Sequence, residues 1–174
     1  MSDLRRRVAE VAAGTGFAGV VQLERGGVVV LDVAYGLADR RHGIAMTTDN
    51  QLGMASGSKT FTALVVLRLV EEGLLTLSTT ARQILGTDLP LVADDVTIEH
   101  LLSHRSGMGD YLDEDEVDSE EFELPVSAHR LVTTQDFLPI LDGYPTKFRA
   151  GDRFSYCNGG FVVLALIAER VSGR

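Results

Sequence analysis

The spacing of apolar and polar positions divides the chain into elements. Asp3 to Ala13 has the pattern of a short amphipathic helix. Phe17 to Glu24 and Val28 to Tyr35 are apolar, β-branched runs parted by a turn containing Gly26-Gly27. That arrangement predicts an antiparallel hairpin over 17–35, because a tight turn needs positive φ angles that glycine adopts freely. Gly36 to Asn50 is polar and irregular, and Gln51 to Ala55 is a further candidate strand. A helix follows over 57–73. From Thr60 it is apolar almost all round, through Phe61, Leu64, Val65, Val66, Leu67, Leu69 and Val70, which predicts burial. Gly73 is placed to cap it.

The remainder, 74–174, reads as helices and loops. Leu74 to Leu85 holds a turn and a short helix capped by Ser78 or Thr79. Thr97 caps a helix over 98–103 that is finished by Gly107. Thr133 and Asp136 have capping-box spacing ahead of a helix reaching Leu141, shortened or distorted by Pro139. A loop from Tyr144 to Ser155 leads to a final apolar helix over about 159–171. The strands are too few. One hairpin is marginal in water, and only 51–55 offers itself as a partner.

Composition narrows the class. The 174 residues suit one domain or part of a larger one. A net charge of −9 without any basic stripe argues against a nucleic-acid partner. Eight of the eleven residues from Asp113 to Glu123 are acidic. The plain reading is a solvated loop; the sharper one is a charged lid that disfavours anionic substrates. Cys157 is the sole cysteine, which excludes an internal disulfide. His and Cys do not cluster at ligand spacing, so neither a metal site nor a cofactor is expected. No apolar run suits a signal peptide or a membrane span, so no membrane association and a cytoplasmic home are the expectation.

The chemistry gathers at Ser56 and Lys59, three residues apart where an extended stretch meets the apolar helix. Residues i and i+3 of a helix share a face, so an amine would stand beside a hydroxyl. A helix N-terminus adds free N–H groups and a partial positive charge, favouring an alkoxide-like serine and a neutral lysine. Ser-x-x-Lys alone reads first as a helix cap plus a surface lysine rather than a catalytic pair. Here lysine is rare, Lys59 and Lys147 against fourteen arginines, which sharpens the placement. Farther on, Tyr156 and Asn158 are two apart on an extended segment and face one side, with Cys157 pointing away as packing; taken alone, the pair reads first as a loop tyrosine and an asparagine capping the final helix.

Together these segments resemble the penicillin-recognising serine hydrolases: class C β-lactamases, D-alanyl-D-alanine carboxypeptidases and related esterases. Ser56-Gly57-Ser58-Lys59 is similar to their first box, and Tyr156-Cys157-Asn158 to their Tyr-x-Asn box. The run from Ile98 to Met108 resembles their Leu-Leu-x-His-x-Ser-Gly segment, and Tyr35 to Asp39 the region after the second strand. The resemblance implies an α+β, β-lactamase/transpeptidase-like fold, an antiparallel sheet with a mostly helical subdomain. It implies catalysis through an acyl-enzyme on a small-molecule ester, amide or β-lactam carbonyl. Ser56 would be the nucleophile, Lys59 or Tyr156 the general base, Tyr156 the proton donor to the leaving group and Asn158 the substrate-binding residue. A non-catalytic binding protein built on the same pocket is the alternative. His104, in the middle segment, is expected to be structural.

Two positions depart from the pattern. Ala150-Gly151 stands where the family often has Pro-Gly, and no Lys-Thr-Gly or His-x-Gly box follows Asn158. The expectation is therefore that residues 1–174 are the N-terminal part of a single domain whose C-terminal strands are missing. A further segment or a second chain would complete it, and this chain alone would be nearly inactive.

Overall fold

A computed structural model describes residues 2–116 and 122–173. They form two compact units, one up to Met54 and one from Ala55 onward. Part of the acidic run proposed as a lid, 117–121, lies outside the described residues.

The first unit opens with α1 (Ser2–Thr15), where Arg6 bridges Asp3 and Glu10 one turn to either side. The Phe17 amide returns to the Ala12 carbonyl at 3.0 Å and closes the helix. The hairpin forms as expected from β1 (Gly19–Arg25) and β2 (Val28–Tyr35). Its turn residues, Gly26 and Gly27, have φ of 58° and 79°, values that suit the right-handed twist of the paired strands. A bulge between Leu23 and Glu24 shifts the register near the turn.

Two expectations for 36–55 change. The polar stretch 36–50, expected to be irregular, contains a second two-stranded sheet, β3 (Leu37–Asp39) and β4 (Ile44–Ala45). Asp39 closes its turn by accepting from the His42 amide and pairing with the ring Nδ1 at 2.7 Å. Strands of three and two residues are too short for alternation to show. Conversely, 51–54 forms no strand.

The second unit holds α2 (Lys59–Glu71), α3 (Ala81–Leu85), α4 (Ile98–Leu102), α5 (Leu138–Leu141) and α6 (Asn158–Ser172). Its core is centred on α6, whose Val163, Leu164, Leu166 and Ile167 are wholly buried against Val66, Leu85, Val96, Ile98 and Leu101. The capping signals are realised at Thr97 and at Thr133 with Asp136; the latter opens a 3₁₀ turn that passes into α5. Helix α3 is capped by Thr80 with Gln83, not by Ser78 or Thr79. Thr79 is instead occupied in the preceding turn with Thr76. Among the described residues, no helix is long and apolar enough to cross a membrane.

Helix α2 is not the buried helix that its composition predicts. Val66 and Leu69 are buried, but Phe61, Leu64, Val65 and Leu67 are exposed. A helix apolar on every side needs cover on every side, and within this unit α2 packs chiefly on α6. Nor does α2 include Ser56. That residue lies one step earlier, in a 3₁₀ turn over Ala55–Ser58.

Candidate active site

The turn that carries Ser56 is held tightly. Ala55 adopts φ of 42°, uncommon for a residue with a side chain, and the Ser58 hydroxyl donates to the Ala55 carbonyl at 2.8 Å. This backbone projects the Ser56 hydroxyl into solvent while the first residue of α2, Lys59, reaches it: Nζ donates to Ser56 Oγ at 3.1 Å. The same Nζ donates to Oδ1 of Asn158 at 2.9 Å, although 99 residues separate the two in sequence. It also lies 5.0 Å from the centre of the Tyr156 ring and 5.9 Å from that of Phe161. Ser56, Lys59 and Asn158 thus form one hydrogen-bonded chain, with the face of Tyr156 beside the amine.

Asn158 is fully engaged. Besides accepting from Lys59, its Nδ2 donates to the Leu112 carbonyl at 3.3 Å and to Glu114 Oε1 at 3.2 Å. The amide is therefore oriented from three directions before any substrate arrives. Lys59, Asn158, Ser58, Tyr111 and Phe161 are among the residues that line a cleft of about 320 Å³ on this unit.

Tyr156-Cys157-Asn158 is set by the middle segment. His104, at φ 55°, stacks on Tyr156 with ring centres 4.4 Å apart and inclines against Phe161 at 4.9 Å. Its Nδ1 accepts from the Cys157 amide at 3.1 Å, and its carbonyl accepts from the Ser155 amide at 2.9 Å. Accepting at Nδ1 requires a ring without a proton there. Burial, followed by the nearby Lys59 charge, lowers its pKa and favours the neutral form. His104 thus packs on Tyr156 and ties down the Ser155 and Cys157 amides on either side of it.

Cys157 points away from the cleft. Its Sγ accepts from the Gly160 amide at 3.3 Å at the start of α6, and burial pushes the thiol up to about 12. It is packing and a cap, not a nucleophile.

Asp110 completes the site without any local signal in the sequence. This buried carboxylate accepts from the Asn158 amide and from the Gly159 amide, the latter at 2.9 Å, and so caps α6 where Asn158 begins it. Burial raises its pKa, with the backbone donors acting in the opposite sense. It sits 48 residues before Asn158, so no local spacing announces it. The acidic stretch is likewise not simply solvated: Asp113 is buried and paired with Lys147 at 2.6 Å.

A β-lactamase/transpeptidase-like fold is what these elements define, and the comparisons with known proteins agree on the fold. The sequence model of the Beta-lactamase family matches residues 4–174, and the chain belongs to that family. Among its relatives are penicillin-binding protein 4* of Bacillus subtilis, 31% identical over 90% of this chain and 33% of that protein, and esterase EstB of Burkholderia gladioli, 33% identical over 89% of this chain and 41% of that one. The crystal structure of a penicillin-binding protein from Bacillus halodurans superposes with a TM-score of 0.78 at 34% identity, covering 95% of this chain and 50% of that one. The chain spans about a third to a half of the length of these relatives.

Proposed function

We propose that this chain carries the nucleophilic machinery of a serine hydrolase that acts on ester, amide or β-lactam carbonyls through an acyl-enzyme. The observation that carries the reading is the position of Lys59 Nζ between Ser56 Oγ and Asn158 Oδ1. An amine held at hydrogen-bond distance from a serine hydroxyl can receive its proton as the oxygen attacks.

Ser56 Oγ bonds to the carbonyl carbon, and its proton passes to Lys59 or to Tyr156 as phenolate. The tetrahedral intermediate collapses by expelling an alcohol or amine, which leaves with a proton from Tyr156. Water then attacks the ester and gives a proton to Tyr156; the second tetrahedral intermediate collapses to the free acid, and Ser56 Oγ departs with a proton returned by whichever group first took it, Lys59 or Tyr156. Asn158 presents to a substrate carbonyl the Nδ2 proton that now reaches the exposed Glu114. The Ser56 amide is one oxyanion donor. A second would belong to the part of the domain by which the relatives exceed this chain. Losing one such donor costs about 10²–10³ in rate, so these 174 residues alone should turn over slowly.

A fluorophosphonate probe and a fluorescent penicillin, each followed by peptide mapping, test the reading. Adducts on Ser56 that are absent from Ser56→Ala are expected. Labelling elsewhere, or none at saturating probe, would favour the non-catalytic binding protein.

A further inference from the structure

The second of the two lysines is as firmly placed as the first. Lys147 Nζ donates to Asp113 Oδ2 at 2.6 Å and to Ser155 Oγ at 2.8 Å, and Asp115 Oδ2 lies at 3.9 Å. Ser155 in turn donates to Asp115 at 3.1 Å. The side chains of Lys147 and Asp113 are only 20% and 9% exposed, so this is not a solvent-screened surface pair of little consequence. The backbone is tied at the same place, because the Lys147 amide donates to the Gly107 carbonyl at 2.8 Å.

The two strips that Lys147 joins are already in contact at Asn158. Asp113 stands between Leu112 and Glu114, the residues that receive both protons of the Asn158 amide. Ser155 immediately precedes Tyr156. An ammonium with three donors on a flexible stem can meet acceptors from both strips at one point; a planar guanidinium cannot converge in that way.

From this geometry we infer that Lys147, with Asp113 and Ser155, is a positioning clamp. It fixes the 112–114 strip against Tyr156-Cys157-Asn158 and so orients the Asn158 amide between Lys59 and substrate. The consequence for rate rests on the proposed role of Ser56; the orientation of Asn158 does not. Freed from the clamp, the amide loses its two acceptors, Lys59 loses a fixed partner, and a displacement near 1 Å at a reacting group is enough to cost about 10²-fold.

The test compares wild type, Lys147→Met, Lys147→Arg and Ser155→Ala. Ser155→Ala removes one hydroxyl and keeps the ion pair, so it reports even where Lys147→Met fails to fold. Two readouts are taken per folded molecule: hydrogen exchange of the Asn158 side-chain amide by NMR, and the second-order rate of fluorophosphonate labelling at Ser56. Lys147→Met and Ser155→Ala should speed the exchange and slow the labelling by about 10- to 100-fold, with Lys147→Arg recovering part of both. A lowered melting temperature with both readouts unchanged would reduce the clamp to ordinary structural support and overturn the inference. Absence of label on wild-type Ser56 would count against the proposed function alone, because the exchange comparison still decides whether Lys147 orients Asn158.

Discussion

A Cβ placed on Gly159 would lie 3.0 Å from Asp110 Oδ1 and equally close to Leu141 Cδ2. The start of α6 is therefore built around a residue without a side chain, so that a buried carboxylate can approach the amides of Asn158 and Gly159. Gly159→Ala should force Asp110 or Leu141 aside and destabilise the chain by about 1–3 kcal/mol. Asp110→Ala should cost about 1–3 kcal/mol because the Asn158, Gly159 and Leu112 amides lose this acceptor, and Asp110→Asn less, since one acceptor oxygen remains. Urea unfolding of the three variants measures this. Wild-type stability in Gly159→Ala would show that the approach is not tight.

His104 links stability to acidity. Its pKa is lowered in the folded chain by burial and by Lys59, so the unfolded chain binds the proton more readily. Folding stability should therefore fall as pH drops below the unfolded value of about 6.5, and keep falling down to the folded value. His104→Asn tolerates the positive φ and cannot titrate, and should flatten that dependence between pH 7 and 5 relative to wild type. Chemical denaturation at several pH values provides the comparison. An unaltered slope would assign the acid sensitivity to other groups.

Removing the hydroxyl of Ser56 takes away an exposed group with one lysine contact. Ser56→Ala should abolish covalent labelling while stability stays within about 0.5 kcal/mol of wild type. Lys59→Ala should also suppress labelling, and should loosen Asn158 as well, since the only hydrogen bond found at Oδ1 of that residue among the described residues comes from Lys59. Labelling at undiminished rate in Lys59→Ala would point to Tyr156 as the proton acceptor.

Cys157 offers a chemical probe of the folded core. With its thiol pushed up to about 12, the thiolate fraction at pH 8 is on the order of 10³ lower than for an ordinary cysteine. Ellman's reagent should react with the folded chain slowly, at a rate set by unfolding, and at once in denaturant. Fast reaction in native buffer would mean that the start of α6 opens readily.

Much of the fold was legible because its signals are local. The Gly26-Gly27 turn, the caps at Thr97 and Thr133 and the apolar stripe of α6 each act within a few residues, so spacing alone locates them. Burial was read less well, since it depends on neighbours. Helices α2 and α6 are both apolar nearly all round, yet α6 is enclosed by α2, α3 and α4 whereas half of α2 faces outward. The tiny β3–β4 sheet escaped because two or three residues carry no period.

The site divides along the same line. The sequence by itself determined that a serine and a lysine fall three residues apart at the start of one helix, and that a tyrosine precedes an asparagine by two residues at the start of the last. Each is a relation between near neighbours, set by backbone geometry. Only the tertiary structure decided that Lys59 meets Asn158, that His104 backs Tyr156, that Asp110 caps α6 and that Lys147 ties Asp113 to Ser155. Those contacts close loops of eight to 99 residues, and it is burial of the shared core that offsets the entropy of closing them.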